Sequence, residues 1–227
     1  MESSPPVLEV IVTGAEEART AEAGGADRLE LVAEPERGGL SPSIDVVEQV
    51  RRAVRIPVNV MVRDRDGGFC YDGADVLTMI DAAKRFMEAG ADGLVFGALT
   101  GEGELDAQAL TEFLAHTGCK SLTFHRAFDE AANPKVLYEQ LAVFPGVARV
   151  LTAGAAANVL AGIELLKELI ARDVRPIVLV GGGVTQANLR SILAATAARE
   201  IHVGTASRTG GRVDEAKVRR LAEILKS

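Results

Sequence analysis

The sequence predicts a (β/α)8 TIM barrel, a parallel eight-stranded barrel surrounded by helices, as a single domain over residues 1–227. Three observations carry this. Short β-branched runs alternate eight times with longer helical stretches, and such alternation builds a parallel sheet with helical crossovers that eight units can close. Two late strands end in glycine, Val178-Leu-Val-Gly181-Gly182-Gly183-Val184 and Glu200-Ile-His202-Val-Gly204-Thr205-Ala206-Ser207, as they do where this barrel offers a phosphate site. The 227 residues suit one domain with a sizeable core, slightly below the ~250 typical of the fold, so short loops are expected.

The elements follow in order. Val7 to Val12 reads as a strand, Gly14 to Gly24 as an Ala/Glu-rich helix, and Ala26 to Val32 as the second strand. Further strands are expected near 56–63, 91–97, 119–125, 147–152, 176–180 and 200–203. Helices are expected near 43–53, 74–89, 106–117, 134–143, 156–171, 185–196 and 214–226. Ser43 stands where it can cap the first of these. The phrases Gly25-Ala-Asp27 and Gly90-Ala-Asp92 echo one another. In each, a helix ends at glycine and an aspartate precedes a strand, so both aspartates are assigned to stability at the bottom of the barrel.

Composition narrows the partners. The formal charge is -7, Trp is absent and Tyr occurs twice, so no basic, aromatic-rich surface for nucleic acid is expected. Residues Met1 to Pro6 lack a positive start and an apolar run, and no stretch approaches ~18 apolar residues, which excludes a membrane span and favours a cytoplasmic location. Cys70 and Cys119 are too far apart in sequence for a finger or a disulfide framework and are read as free thiols.

The expected catalytic rim carries the chemistry. Glycines 181, 182 and 183 can take positive φ and leave the first N–H groups of the next helix open, and Gly204, Thr205, Ala206 and Ser207 repeat the device; both segments are candidate anion sites. Barrel strands normally point Val, Ile and Leu inward with period two. Here Glu9, Glu30, Asn59 with Arg63, Thr123 with His125, and His202 take those positions, with Arg28 one layer below Glu30. Buried alone, such groups cost several kcal/mol each. They form either an internal network of Glu9, Glu30 and Arg63, or a polar pocket, and one arrangement can be both.

Thr123-Phe-His125-Arg126-Ala-Phe-Asp129 is the densest cluster. His125 is the candidate proton carrier near neutrality, Arg126 the grip for a planar anion, and Asp129 the group that orients either or pairs with Arg126. The loop Asp64 to Asp72 puts aromatics and charges at the mouth, where it can cover a site. His116, near a helix end, is read as a surface or cap residue. No nucleophile elbow, P-loop, dinucleotide fingerprint or His-Glu-x-x-His helix occurs. No metal ligand is assigned; three histidines and two separated cysteines make a metal site only if the fold gathers them.

Taken in order, Gly24-Gly-Ala-Asp27-Arg-Leu-Glu30-Leu, Gly38-Gly-Leu-Ser-Pro-Ser43, Pro57-Val-Asn-Val-Met-Val-Arg63, Val95-Phe-Gly-Ala-Leu-Thr100, Thr123-Phe-His-Arg-Ala-Phe-Asp129 and Gly181-Gly-Gly-Val184 resemble the copper homeostasis CutC family over nearly the full chain. The resemblance implies a cytoplasmic (β/α)8 barrel, often self-associating, and a role in copper handling without an established reaction. Its motif residues fall on Glu9, Glu30, Arg63, His125, Arg126, Asp129 and the triple glycine. Family members commonly carry Cys where this chain has Ile11 and Val32, and Arg-Pro-Arg where it has Arg63-Asp64-Arg65. Ile and Val offer copper no donor atom.

Two functions are therefore expected: copper homeostasis or copper ion binding, as the resemblance implies, or an enzyme acting on a small phosphorylated or other anionic metabolite. In the second, His125 is general acid or base with Glu9 or Glu30, and Arg63 and Arg126 stabilise negative charge. A regulatory barrel that binds without turnover is a further reading.

Overall fold

A computed structural model describes residues 6–227. Eight strands form a closed, all-parallel barrel in sequence order: β1 (Val7–Val12), β2 (Arg28–Leu31), β3 (Val58–Met61), β4 (Gly93–Phe96), β5 (Leu122–Phe124), β6 (Val147–Thr152), β7 (Ile177–Val180) and β8 (Glu200–Val203). Closure is made by β1 against β8, with Glu9 in register with His202. The helices are α1 (Ala15–Ala23), α2 (Ile44–Ala53), α3 (Gly73–Glu88), α4 (Ala107–Thr117), α5 (Pro134–Leu141), α6 (Ile163–Ala171), α7 (Leu189–Thr196) and α8 (Glu215–Lys226). The predicted barrel is thus the observed one, and none of its described helices is long and apolar enough to cross a membrane.

The sequence explains the local choices. Asp72 accepts from the main-chain N–H groups of Ala74 and Asp75 while Asp75 reaches back to the Asp72 N–H, a reciprocal cap that starts α3. Asn133 caps α5 with Pro134 in its first turn. Below the barrel, Asp27 accepts from Leu8 N–H at 2.9 Å and Asp92 from Val58 N–H at 2.8 Å. The echoed phrases are one connection used twice, as their structural assignment requires.

One cap and two helix starts differ from the sequence reading. Ser43 occupies the first cap position of α2, yet its side chain makes no capping bond. Helix α6 begins at Ile163 rather than 156: the Ala-rich approach is bent, with Ala155 at φ 52°. Helix α7 begins at Leu189 rather than 185, because the Asn188 side chain accepts from Thr185 N–H and holds a turn ahead of it. Both shifts lengthen the loops at the C-terminal ends of β6 and β7, where the site lies.

Candidate functional site

The interior of the barrel is polar where β1, β2 and β8 meet. Arg28 pairs through Nε with Glu9 and through Nη2 with Glu200 at 2.6 Å, and Arg149 Nε reaches the same Glu200 oxygen at 2.8 Å. His202 Nδ1 bonds Glu9 Oε1 at 2.8 Å, and Asn59 Nδ2 donates to Glu9 Oε2 at 3.3 Å. A buried salt-bridge network therefore exists, but not the expected one of Glu9, Glu30 and Arg63: it joins Glu9 and Glu200 through Arg28, with Arg149 on Glu200, and Arg63 takes no part. Arg28 stands in register with Glu9 on the adjacent strand, whereas Arg63 lies beyond the end of β3. Glu9 is completely buried beneath this layer and does not line the cavity above it.

Electrostatics follow from that packing. Burial opposes ionisation of Glu9, but Arg28 and His202 hold its carboxyl well below the usual range. Burial likewise opposes protonation of His202, yet the Glu30 charge and the bond and charge of Glu9 keep it above its ordinary value. Glu30 is pushed up to about 7, mainly by burial; His202 pulls against this, Glu9 adds to it and Arg28 opposes it. One Glu30 oxygen lies 3.8 Å from His202 Nε2, and the other, Oε1, has no partner. Glu30 and His202 thus titrate as a pair, with burial holding the Glu30 proton up to about 7.

Above this layer opens a cavity of about 1060 Å³. Glu30, Arg63, His125, Arg126, Asp129 and His202 reach its walls, as do Gly182, Gly183, Gly204, Thr205 and Ala206. Gly181 and Ser207 do not. Gly181 closes the sheet by donating to Thr152 O at 3.0 Å, and the buried Ser207 hydroxyl donates to Gly204 O at 2.7 Å. Among the described residues, the main-chain N–H groups of Gly182, Gly183 and Gly204 have no acceptor in the protein. Gly182, at φ 98°, could carry no side chain, since a Cβ there would lie 2.9 Å from Ala153 Cβ and 3.2 Å from the Arg126 guanidinium carbon. Arg126 consequently overhangs the glycine turn.

One role assigned from sequence changes, that of His125, while Asp129 takes the second of its two expected roles, pairing with Arg126. His125 does not exchange a proton near neutrality: burial, then the Arg63 charge, hold its imidazole down to about 3. Nδ1 accepts from Ala127 N–H at 3.2 Å, so the neutral ring carries its proton on Nε2, which has no partner. It is a hydrogen-bond donor, as a neutral imidazole can be at a developing oxyanion. Gly97 makes room for it, because a Cβ there would lie 2.8 Å from Nδ1. Asp129 pairs with Arg126 Nε at 2.8 Å and accepts from the N–H groups of Ala153 and Ala155. Its carboxylate fills the turn after β6 and holds Arg126 beside the next one.

Phe69, unassigned from sequence beyond its loop, lies between two site residues. Its ring centroid is 4.8 Å from that of His125 and 4.9 Å from the Arg63 guanidinium. Cys70 is exposed beside it, while Cys119 is buried at the approach to β5. The fold gathers one set of metal-type donors, from Glu9, Glu30 and His202, whose atoms lie within 4.8 Å of one another. The Glu9 oxygens in that set are already committed to Arg28, Asn59 and His202.

A family model described as the CutC family matches residues 7–207. The chain belongs to the CutC family. Among curated relatives, the family protein CutC of Salmonella heidelberg (strain SL476) is 41% identical over 196 residues, covering 86% of this chain and 78% of the relative. The same figures hold for the family protein CutC of Klebsiella pneumoniae (strain 342). Among solved structures, a candidate copper homeostasis protein CutC from Streptococcus agalactiae is 29% identical, with TM-score 0.82 over 88% of this chain and 98% of that one. N-(5'-phosphoribosyl)anthranilate isomerase from Pyrococcus furiosus matches at TM-score 0.64 and 16% identity, over 97% of this chain and 98% of that one, which is a likeness of fold. In this CutC-family chain the matched region includes every candidate site residue.

Proposed function

We propose that this CutC-family barrel binds a small anionic, phosphate-bearing metabolite in the cytoplasm and moves a proton on it through Glu30. The observation that supports this best is the pairing, on one cavity, of free main-chain donors at Gly182, Gly183 and Gly204 with a buried carboxyl whose proton is mobile near neutrality. Glycine N–H groups at a strand-to-helix turn suit phosphate oxygens, and the overhanging Arg126 adds a second, charged donor. Glu30 acts as the acid/base group, His202 faces it from β8, and Glu9 holds His202. His125 contributes Nε2–H toward negative charge. The test is titration with inorganic phosphate followed by ³¹P NMR, alongside an unbiased metabolite capture. Saturable phosphate binding weakened by Arg126→Met supports the reading; no binding up to tens of millimolar refutes it.

Copper handling is the second reading, supported by the family and by the name of the Streptococcus agalactiae relative. The donor atoms do not fit Cu(I), which prefers thiolate and thioether ligands. The two thiols lie apart, one exposed and one buried, and the gathered donors are two carboxylates and an imidazole. No step of the proposed chemistry runs through copper.

A further inference from the structure

Of the five buried side-chain atoms without a hydrogen-bond partner among the described residues, three belong to groups on the walls of this one cavity: Glu30 Oε1, Arg63 Nε and His125 Nε2. Native interiors leave few such atoms, and a cluster of them at one place asks for a partner. Arg63 is the most costly. Its residue is 7% exposed and it makes no close ion pair among the described residues; Asp66 acts on it through charge, the Tyr71 hydroxyl lies near it, Nη1 has the Arg37 carbonyl at 3.3 Å, and Nε has no acceptor. A buried cation without a counter-ion is strongly unfavourable unless an anion completes it. His125, 3% exposed, points its one N–H at nothing.

Phe69 packs against both groups, with the Arg63 guanidinium over its ring at 4.9 Å and the His125 ring tilted 50° to it at 4.8 Å. The Phe69 backbone is fixed, since its carbonyl accepts from Leu99 N–H at 2.8 Å, but its side chain is only half-buried. A turn of that side chain uncovers both donors without moving the strand ends.

We infer that the space beneath Phe69 is a carboxylate subsite, in which Arg63 Nε–H and His125 Nε2–H hold the carboxyl group of a ligand whose phosphate sits at the glycine turns. The inference rests on the phosphate-binding reading above and names the substrate class: a phosphorylated carboxylic acid. A carboxylate supplies the negative charge that Arg63 lacks and the acceptor that His125 lacks, and its plane suits a guanidinium edge. The neighbouring Glu30, holding a proton up to near neutrality, can meet the second carboxylate as a donor instead of repelling it. A phosphorylated alcohol of the same length can accept from one of these donors but brings no negative charge to Arg63. A cavity of about 1060 Å³ lined by both sets of donors has room for such a metabolite.

The test uses matched pairs that differ only in the carboxylate: 3-phosphoglycerate against glycerol 3-phosphate, and 6-phosphogluconate against glucitol 6-phosphate, titrated by calorimetry into the full chain. At least a tenfold preference for the acid in one pair is expected, reduced to near unity in Arg63→Met. Because that variant could lose its fold, the Arg Nε–H NMR signals of the unaltered protein are followed in parallel, and the acid is expected to shift that of Arg63. Phe69→Ala, which removes the cover, should keep the preference. If inorganic phosphate binds but neither pair discriminates, the carboxylate subsite is wrong while the phosphate site stands. If inorganic phosphate does not bind, both fall. A preference that survives Arg63→Met, or an Arg63 signal unmoved by the acid, also overturns the inference.

Discussion

His202 Nδ1 is bonded to Glu9 Oε1 at 2.8 Å, across the seam where the last strand closes on the first. That contact turns Nε2 of the ring toward Glu30, 3.8 Å away. A buried carboxylate, an imidazole and a second carboxyl thus form a line from the core to the cavity floor. The group that faces the cavity, Glu30, differs from the group that anchors the line, Glu9.

Replacing Glu9 with Gln is expected to damage stability first. Arg28 and His202 would both lose a buried counter-charge, and breaking such a pair costs about 3–5 kcal/mol. Urea unfolding should show a loss of that size. A change below about 1 kcal/mol would mean that Glu9 is hydrated and the network is not what holds the seam.

The period of two in the strands made much of this legible in advance. Glu9, Glu30, Asn59, Thr123, His125 and His202 were identifiable as inward-facing polar residues from alternation alone. Which of them touch was not, because contact across a barrel depends on the stagger between strands. Arg28 meets Glu9 through register and Glu200 through closure, 172 residues away in sequence. The Ala-rich stretch before α6 reads as helix by propensity, yet Asp129 takes the N–H groups of Ala153 and Ala155 and bends it into the site. The same remote carboxylate fixes Arg126. His125 was legible as a residue at the barrel mouth, where it lines the cavity, but its lowered basicity is a property of burial and of Arg63, and neither is written near it in the chain.

Acid should reveal His125. Its imidazole stays neutral in the folded chain down to about 3, while in the unfolded chain it protonates near 6.5. Between those values the unfolded state holds the extra proton, so the contribution of His125 to stability is complete above 6.5 and is lost as pH falls toward 3. The slope is at most about 1.4 kcal/mol per pH unit. His125→Asn should flatten the acid limb of stability against pH. An unchanged limb would show that the ring titrates normally.

Glu30 should act in the opposite direction. Its carboxyl is raised from 4.5 to about 7, so the folded state binds the proton more tightly and stability falls as pH rises between those values. The groups facing it are His202 from β8, Glu9 from β1 and Arg28 from β2. His202, also raised, contributes a loss in the same sense as pH rises through its own folded value. Glu30→Gln should therefore reduce the decline without abolishing it, as read from denaturation midpoints at successive pH. In turnover, once a substrate is in hand, the same variant should lose the limb of the rate profile near 7. A decline in stability of unchanged steepness would assign the mobile proton elsewhere.

Copper binding should be weak. A tight Cu(I) site draws several thiolates or thioethers onto one ion, and this chain has one exposed and one buried cysteine, held apart by the barrel. Ile11 and Val32 pack with Met61 and Val95 as an apolar cluster at the positions where family members commonly carry Cys. Met61, which also borders the cavity, therefore packs among side chains that offer no second sulfur donor. The Glu9, Glu30 and His202 set is hard in character, and Arg28 already neutralises part of it. In an anaerobic, reducing titration, a strong Cu(I) chelator should strip any bound copper, and Cys70→Ser and Cys119→Ser should leave that result unchanged. One copper retained per chain against the chelator, and lost in either serine variant, would mean that two chains share a thiolate site and would move the copper reading ahead of the metabolite one.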